Sequence, residues 1–257
     1  TIDTLRPGIT YTWLVSSGGT ITGGQGTKSI TVDWSNYGSQ TVSVIAINEC
    51  GTPQVDYPVT INQVPKANAG AAQQICGFNG KFAAVPSVGN GQWKLLSGPV
   101  GGVANIANST NPTSNVNVTV CGAYTFTWTE NNFGCIDSTT VVLDFSEPPT
   151  IINSKEKCNL IDFSYTVTFE VSGCKPPYKI YDAITGLQVG TANTAPYSFT
   201  SAVIPNEVQY KFVAQDAFGC FGDTLVGKRK CDCTTKADTV SIAKLNEEYK
   251  MYCILSK

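Results

Sequence analysis

Along most of the chain, apolar or β-branched residues take every second place over short runs, and polar residues fill the places between. Thr41-Val42-Ser43-Val44-Ile45-Ala46, Asn115-Val116-Asn117-Val118-Thr119-Val120, Tyr124-Thr125-Phe126-Thr127-Trp128 and Tyr165-Thr166-Val167-Thr168-Phe169-Glu170-Val171 are the clearest. A period of two sends alternate side chains to opposite faces, so each run predicts a strand with one face buried. Clusters of Gly, Pro, Asn and Ser interrupt the runs, as tight turns require. No helical period is convincing before residues 242–251, where a short helix and a strand pair both fit. No apolar run approaches the roughly 20 residues that span a bilayer.

The strands repeat as a group. Phe133-Gly134-Cys135 recurs as Phe218-Gly219-Cys220, and a weaker form, Glu49-Cys50-Gly51, precedes both. The three cysteines stand 85 residues apart, each just after a predicted strand. A fixed period marks one module used several times. Seven or so short strands per period predict an immunoglobulin-like sandwich. The expected fold class is all-β, with tandem immunoglobulin-like β-sandwich domains arranged end to end. Val64-Pro65-Lys66, Glu147-Pro148-Pro149-Thr150 and Cys231-Asp232-Cys233-Thr234 mark the junctions. They divide the chain into 1–65, 66–147, 148–233 and the start of a further module at 234–257. The unit holding Cys50 is expected to begin upstream of Thr1, so the chain reads as a piece of a longer protein. Short proline-bearing linkers are stiff. Three sandwiches in series then form a rod of roughly 100–120 Å.

Composition narrows the chemistry. A net charge of −2 with 14% charged residues argues against nucleic acid, which needs a basic face. The chain has no histidine, which removes Ser-His-Asp and Cys-His catalysis and His-ligated metals. Asp162, Asp182, Asp216 and Asp223 are spread along the third unit, and Glu147 and Asp232 stand alone, so no calcium cage is indicated. No catalytic, cofactor-binding or metal-ligating residue is assigned, and the segment reads as non-enzymatic. The glycines around Gln25 miss the phosphate-loop pattern, because Thr27 stands where Gly must precede Lys28 and a strand follows. Trp13, Trp93 and Trp128 fit either a core or a sugar-stacking platform. Trp128 shares the parity of Tyr124 and Phe126, which favours the core, and Trp34 at a strand end is expected to be the most exposed.

Ten cysteines beside a single methionine point to an oxidising compartment. Cys231-Asp232-Cys233 is Cys-x-Cys, not the Cys-x2-Cys of zinc knuckles. In a sandwich, strand ends that share a pole can share a disulfide. That argument pairs Cys174 with Cys220 and Cys158 with Cys231, and gives Cys50 a partner upstream of Thr1. Cys233 is expected with Cys253. In the second unit it favours Cys76 with Cys121, and one of Cys121 or Cys135 is then free or intermolecular.

The residues also carry a resemblance. Tyr11-Thr12-Trp13-Leu14-Val15, the stretch Gly19-Thr20-Ile21-Thr22-Gly23-Gly24-Gln25-Gly26-Thr27, and Ile30-Thr31-Val32-Asp33-Trp34 resemble the PKD-like domain of Bacteroidota surface proteins. Ala67-Asn68-Ala69-Gly70, Gly91-Gln92-Trp93 and Ser97-Gly98-Pro99 resemble another module of those proteins, and Asp216-Ala217-Phe218-Gly219-Cys220 fits the third. The best-known owners are very large gliding-motility adhesins, exported by type 9 secretion and carried on the cell surface as filaments. The resemblance implies an extracellular stalk segment for motility and attachment. Its partners would be neighbouring modules, identical chains in a filament and surface polysaccharide, with no nucleic acid and no cofactor. It also implies Cys76 with Cys135. Asp3-Thr4-Leu5, Asp137-Ser138-Thr139, Asp223-Thr224-Leu225 and Asp238-Thr239-Val240 resemble the O-glycosylation signal of the same group, which assigns Thr4, Ser138, Thr224 and Thr239. Two other readings stand beside the stalk: a carbohydrate-binding array of a secreted polysaccharide-degrading protein, and a surface-layer scaffold.

Overall fold

The structure, a computed structural model, describes residues 1–3 and 5–232 in full and the backbone of 238–245 and 248–255. Every regular element among them is a strand. The first module holds β1 (Thr10–Val15), β2 (Gly19–Gly23), β3 (Thr31–Trp34), β4 (Gly38–Ile47) and β5 (Gln54–Ile61). β4 pairs antiparallel with β1 and β5, while β2 and β3 form a separate ribbon. The glycine-rich segment is structural. Gln25 Oε1 accepts the Trp13 N–H at 2.7 Å, and Gln25 Nε2 donates to the Trp13 carbonyl at 2.9 Å. The Trp13 indole N–H reaches the Thr27 carbonyl at 2.8 Å.

The second module holds β6 (Gln73–Cys76), β7 (Asn79–Lys81), β8 (Asn90–Ser97), β9 (Ala104–Ile106), β10 (Asn115–Val118), β11 (Gly122–Asn132) and β12 (Cys135–Ser146). One sheet runs β7-β10-β9 and the other β6-β12-β11-β8. This is the two-layer arrangement of an immunoglobulin-like sandwich. β6 lies parallel to the end of β12, with Cys76 opposite Ser146. The in-facing residues of β11, Tyr124, Phe126 and Trp128, are fully buried. Phe82 stacks on Trp93 with ring centroids 3.9 Å apart. The Tyr124 hydroxyl donates to the Val120 carbonyl at 2.9 Å, tying the start of β11 to the chain before it.

The third module holds β13 (Thr150–Asn159), β14 (Ser164–Ser172), β15 (Tyr178–Asp182), β16 (Gln188–Ala192), β17 (Ser198–Thr200), β18 (Ile204–Pro205), β19 (Gln209–Gln215) and β20 (Phe221–Lys228). Its sheets are β13-β14-β17, with β18 also on β14, and β16-β15-β19-β20. Tyr165, Val167, Phe169, Ile180 and Ala214 are wholly buried between them. β21 (Asp238–Leu245) and β22 (Glu248–Leu255) form an antiparallel pair, so the stretch that fitted both a helix and strands is a hairpin.

The fold is therefore all-β, with immunoglobulin-like sandwiches in series. Trp13, Trp93 and Trp128 are core residues. Trp34 is half-buried, its ring lying over Gly19.

Candidate functional site: a cross-linked joint between modules

β12 ends at Ser146 and β13 begins at Thr150. The three residues between them are Glu147, Pro148 and Pro149, so the two sandwiches abut. Strand direction then decides which groups meet. The far pole of the second module presents Cys76 at the end of β6 and Cys121 just before β11. The near pole of the third presents Cys174 after β14 and Cys220 between β19 and β20.

These four cysteines bond across the joint. Cys76 joins Cys220, with Cα atoms 5.5 Å apart, and Cys121 joins Cys174 at 6.6 Å. The expected Cys174–Cys220 and Cys76–Cys121 pairings are thus corrected. Each pair does share a pole, as strand direction implied. But a pole argument treats a module alone, and here two poles are pressed together, so each cysteine meets a partner from the neighbour. Cys76–Cys135 is corrected for a simpler reason. Cys135 opens β12 and Cys76 lies beside its last residue, about 35 Å away at the usual strand rise. Cys158 and Cys231, also expected as partners, are joined within the third module, with Cα atoms 5.6 Å apart. Cys50 and Cys135 carry free thiols in the described structure. Cys233 and the side chain of Cys253 lie outside the described residues.

Polar contacts surround the bridges. Asp216, 3% exposed, sits at the centre. Its Oδ1 accepts the backbone N–H groups of Phe218 at 2.9 Å and Cys220 at 2.8 Å. Its Oδ2 accepts the hydroxyl of fully buried Ser146 from the preceding module. Lys175 Nζ reaches Asp144 Oδ1 across the joint at 2.7 Å and lies 4.6 Å from the centre of the Phe218 ring. The Lys175 carbonyl accepts the Ala217 N–H at 3.0 Å. Tyr178 packs beside this region with a buried hydroxyl that has no hydrogen-bond partner among the described residues. Its pKa is pushed up to about 12, first by burial and then by Tyr197, Asp216 and Glu147.

The Phe-Gly-Cys echo is the corner that makes this contact. Gly134 and Gly219 hold φ near 93° and 87°, a region open to glycine at no steric cost. An Asx side chain stabilises each turn: Asn48 accepts the Cys50 N–H, Asn131 the Gly134 N–H, and Asp216 the Phe218 and Cys220 N–H groups. The sequence reading gave these residues no turn role, although Asn or Asp two to four places before each corner was a readable turn signal. The corner at Cys135 is bonded more sparsely to the module before it. Asn132 Nδ2 donates to the Gln63 carbonyl at 2.8 Å, and Phe133 is 88% exposed.

This first module, with its Gln25 bracket around Trp13, is where the chain matches a known family. Residues 1–61 match the PKD-like domain. No curated protein matches the chain. Among solved structures, the I67–I69 fragment of the titin I-band is 14% identical and has a TM-score of 0.47, with 88% of each chain covered. The eight N-terminal immunoglobulin domains of Down syndrome cell adhesion molecule are 12% identical at 0.47, covering 86% of this chain and 37% of that one. Domains 3–5 of Drosophila OTK are 10% identical at 0.41, covering 85% and 83%.

In the first module, Val55 and Tyr57 are 65% and 69% exposed and share an apolar hollow with Trp34, Val42 and Val59. Among the expected glycan acceptors, Ser138 on β12 and Thr224 on β20 face solvent. Asp137 beside Ser138 has a structural role, its Oδ2 accepting the Ala67 N–H at 2.8 Å. Thr4 and the side chain of Thr239 lie outside the described residues. Among the described residues no three His, Cys, Asp or Glu side chains gather where they could hold a metal ion. No helix of the described residues is long and apolar enough to cross a membrane.

Proposed function

We propose that this chain is a structural, non-enzymatic stalk segment of a giant extracellular adhesin filament that serves gliding motility and surface attachment. The observation that carries the reading is the joint: two modules set pole to pole and bonded across their contact by two disulfides. Disulfides belong to oxidising compartments, which suits a secreted or surface protein. A rod that transmits pull gains from such joints, whereas an enzyme would need a converging site. The resemblance of the modules to those of Bacteroidota surface proteins supports a filament carried on such a surface and exported across the outer membrane by type 9 secretion. Neighbouring modules are its first partners, identical chains and surface polysaccharide further ones. The carbohydrate-binding alternative needs an exposed aromatic strip, and three of the four tryptophans are core. Imaging of the native object tests the stalk. It should be a thin fibre with an axial step near one module length, about 40 Å. An isolated globular particle would exclude it.

Glycosylation at Ser138 and Thr224 belongs to the same proposal, because both hydroxyls are accessible on the last strands of their modules. The intact mass of native material should exceed the sequence mass by whole sugar units. An unmodified mass sinks this part.

A further inference from the structure

Two extended segments run along the joined pair. Residues 66–76 pass along the second module beside β12. The Ala67 N–H bonds Asp137 near the start of that strand, the Ala69 N–H bonds Thr139, and Cys76 lies opposite Ser146 at its end. β20 and the residues after it pass along the third module in the same way, from Cys220 at the joint to Cys231 beyond Lys228. The Cys76–Cys220 bridge connects the two segments end to end and closes a loop across 144 positions of sequence.

We infer that residues 66–76, the Cys76–Cys220 bridge and residues 220–231 form a covalent strap that carries tension past both sandwiches. Pull entering at Lys66 and leaving near Lys230 has a covalent route that bypasses the remainder of both sandwiches, although Ala67, Ala69 and Cys231 on it pack into their cores. The route has almost no slack: β6 and β20 flank the bridge as strands, and from Ala67 to Cys76 the chain keeps pace with β12 from Asp137 to Ser146. Strands rise about 3.3 Å per residue and a fully stretched chain spans at most about 3.6 Å per residue. For these roughly 20 residues the difference is below about 10 Å. Unfolding either sandwich therefore cannot lengthen the pair, and everything between Cys76 and Cys220 stays out of the line of force. The other bridges serve the enclosed loop. Cys121–Cys174 holds the two poles together, and Cys158–Cys231 anchors β13 to the end of the strap. This follows from connectivity alone. It holds whether or not the chain belongs to an adhesive filament, so an image without fibres would leave it standing.

Single-molecule pulling tests it. Handles are attached to the full chain through reactive residues placed at Lys66 and Lys230, both exposed, so that other segments stay outside the pull. Under oxidising conditions no lengthening step above about 20 Å is expected at forces that unfold ordinary sandwiches. In the C76S/C220S double variant the shortest covalent route runs through Cys121–Cys174 and Cys158–Cys231, and a gain of roughly 200 Å is expected. Full reduction releases the whole stretch, roughly 500 Å. Non-reducing peptide mapping supplies a second readout, in which Cys76 and Cys220 should appear in one linked pair. Steps of 200 Å or more in the oxidised wild-type chain, or peptides pairing Cys76 elsewhere, would overturn the strap.

Discussion

Single residues show where polar chemistry is used for architecture. Glu130, 1% exposed, lies inside the second module and makes no ion pair among the described residues. Its carboxylate accepts the Trp128 indole N–H at 2.9 Å and the Ser87 N–H at 3.0 Å, with the Ser87 hydroxyl adding a third donor. Burial by itself would raise the Glu130 pKa. Hydrogen bonds from the Ser87 hydroxyl, the Trp128 indole and the backbone of Ser87 and Val88 outweigh it and hold the group below its usual 4.5. E130A leaves these buried donors without an acceptor, and the expected loss is about 2 kcal/mol at pH 7. The depressed pKa sets the sign with pH. The ionised form is favoured by folding, so its contribution is fully present above the unfolded pKa near 4.5 and fades as the pH falls through the lower folded value. Thermal melts of wild type and E130A should differ most at neutral pH and converge in acid. A gap that stays constant down to pH 3 would contradict this role. Nothing in the alternating pattern announced Glu130, because its place on β11 is an in-facing one where parity alone expects an apolar side chain.

At the scale of the element, the parity rule worked because a strand reports its own buried face. β11, β14 and β19 bury the residues that the period of two selects. Close approaches between elements were less legible. Gly222 on β20 passes so near the linker that a β-carbon there would overlap the Pro149 carbonyl oxygen. That neighbour is backbone and cannot rotate away. G222A should therefore push β20 from the linker and destabilise the joint by about 1–3 kcal/mol, the usual cost of overpacking. The fold of the second module should be unaffected, so its tryptophan emission should hold while the melting temperature of the pair falls. An unchanged melting temperature would show that the approach is looser than described. From sequence alone, Gly222 looks like any glycine in a strand, because its neighbour lies some 70 positions away.

At the scale of the whole molecule, the four joint cysteines are the instructive case. Strand order and direction put Cys76 and Cys121 at one end of the second module and Cys174 and Cys220 at one end of the third, and the structure has them there. The 85-residue echo likewise marked the corner between the last two strands of a module. The free thiol of Cys135 and the bridged Cys220 occupy that same corner, so the echo is one of position and not of bonding. What the amino-acid sequence determined by itself was everything carried by local periodicity: an all-β chain, its modules, the face each strand buries and the pole each cysteine occupies. What only the tertiary structure decided was partnership. A disulfide forms between sulfurs that come within bonding reach, and reach depends on how closely two rigid sandwiches dock. The short linker from Glu147 to Pro149, with Asp216 on Ser146 and Lys175 on Asp144, presses the poles together. The cysteines then bond across the gap, turning two modules into one strapped unit.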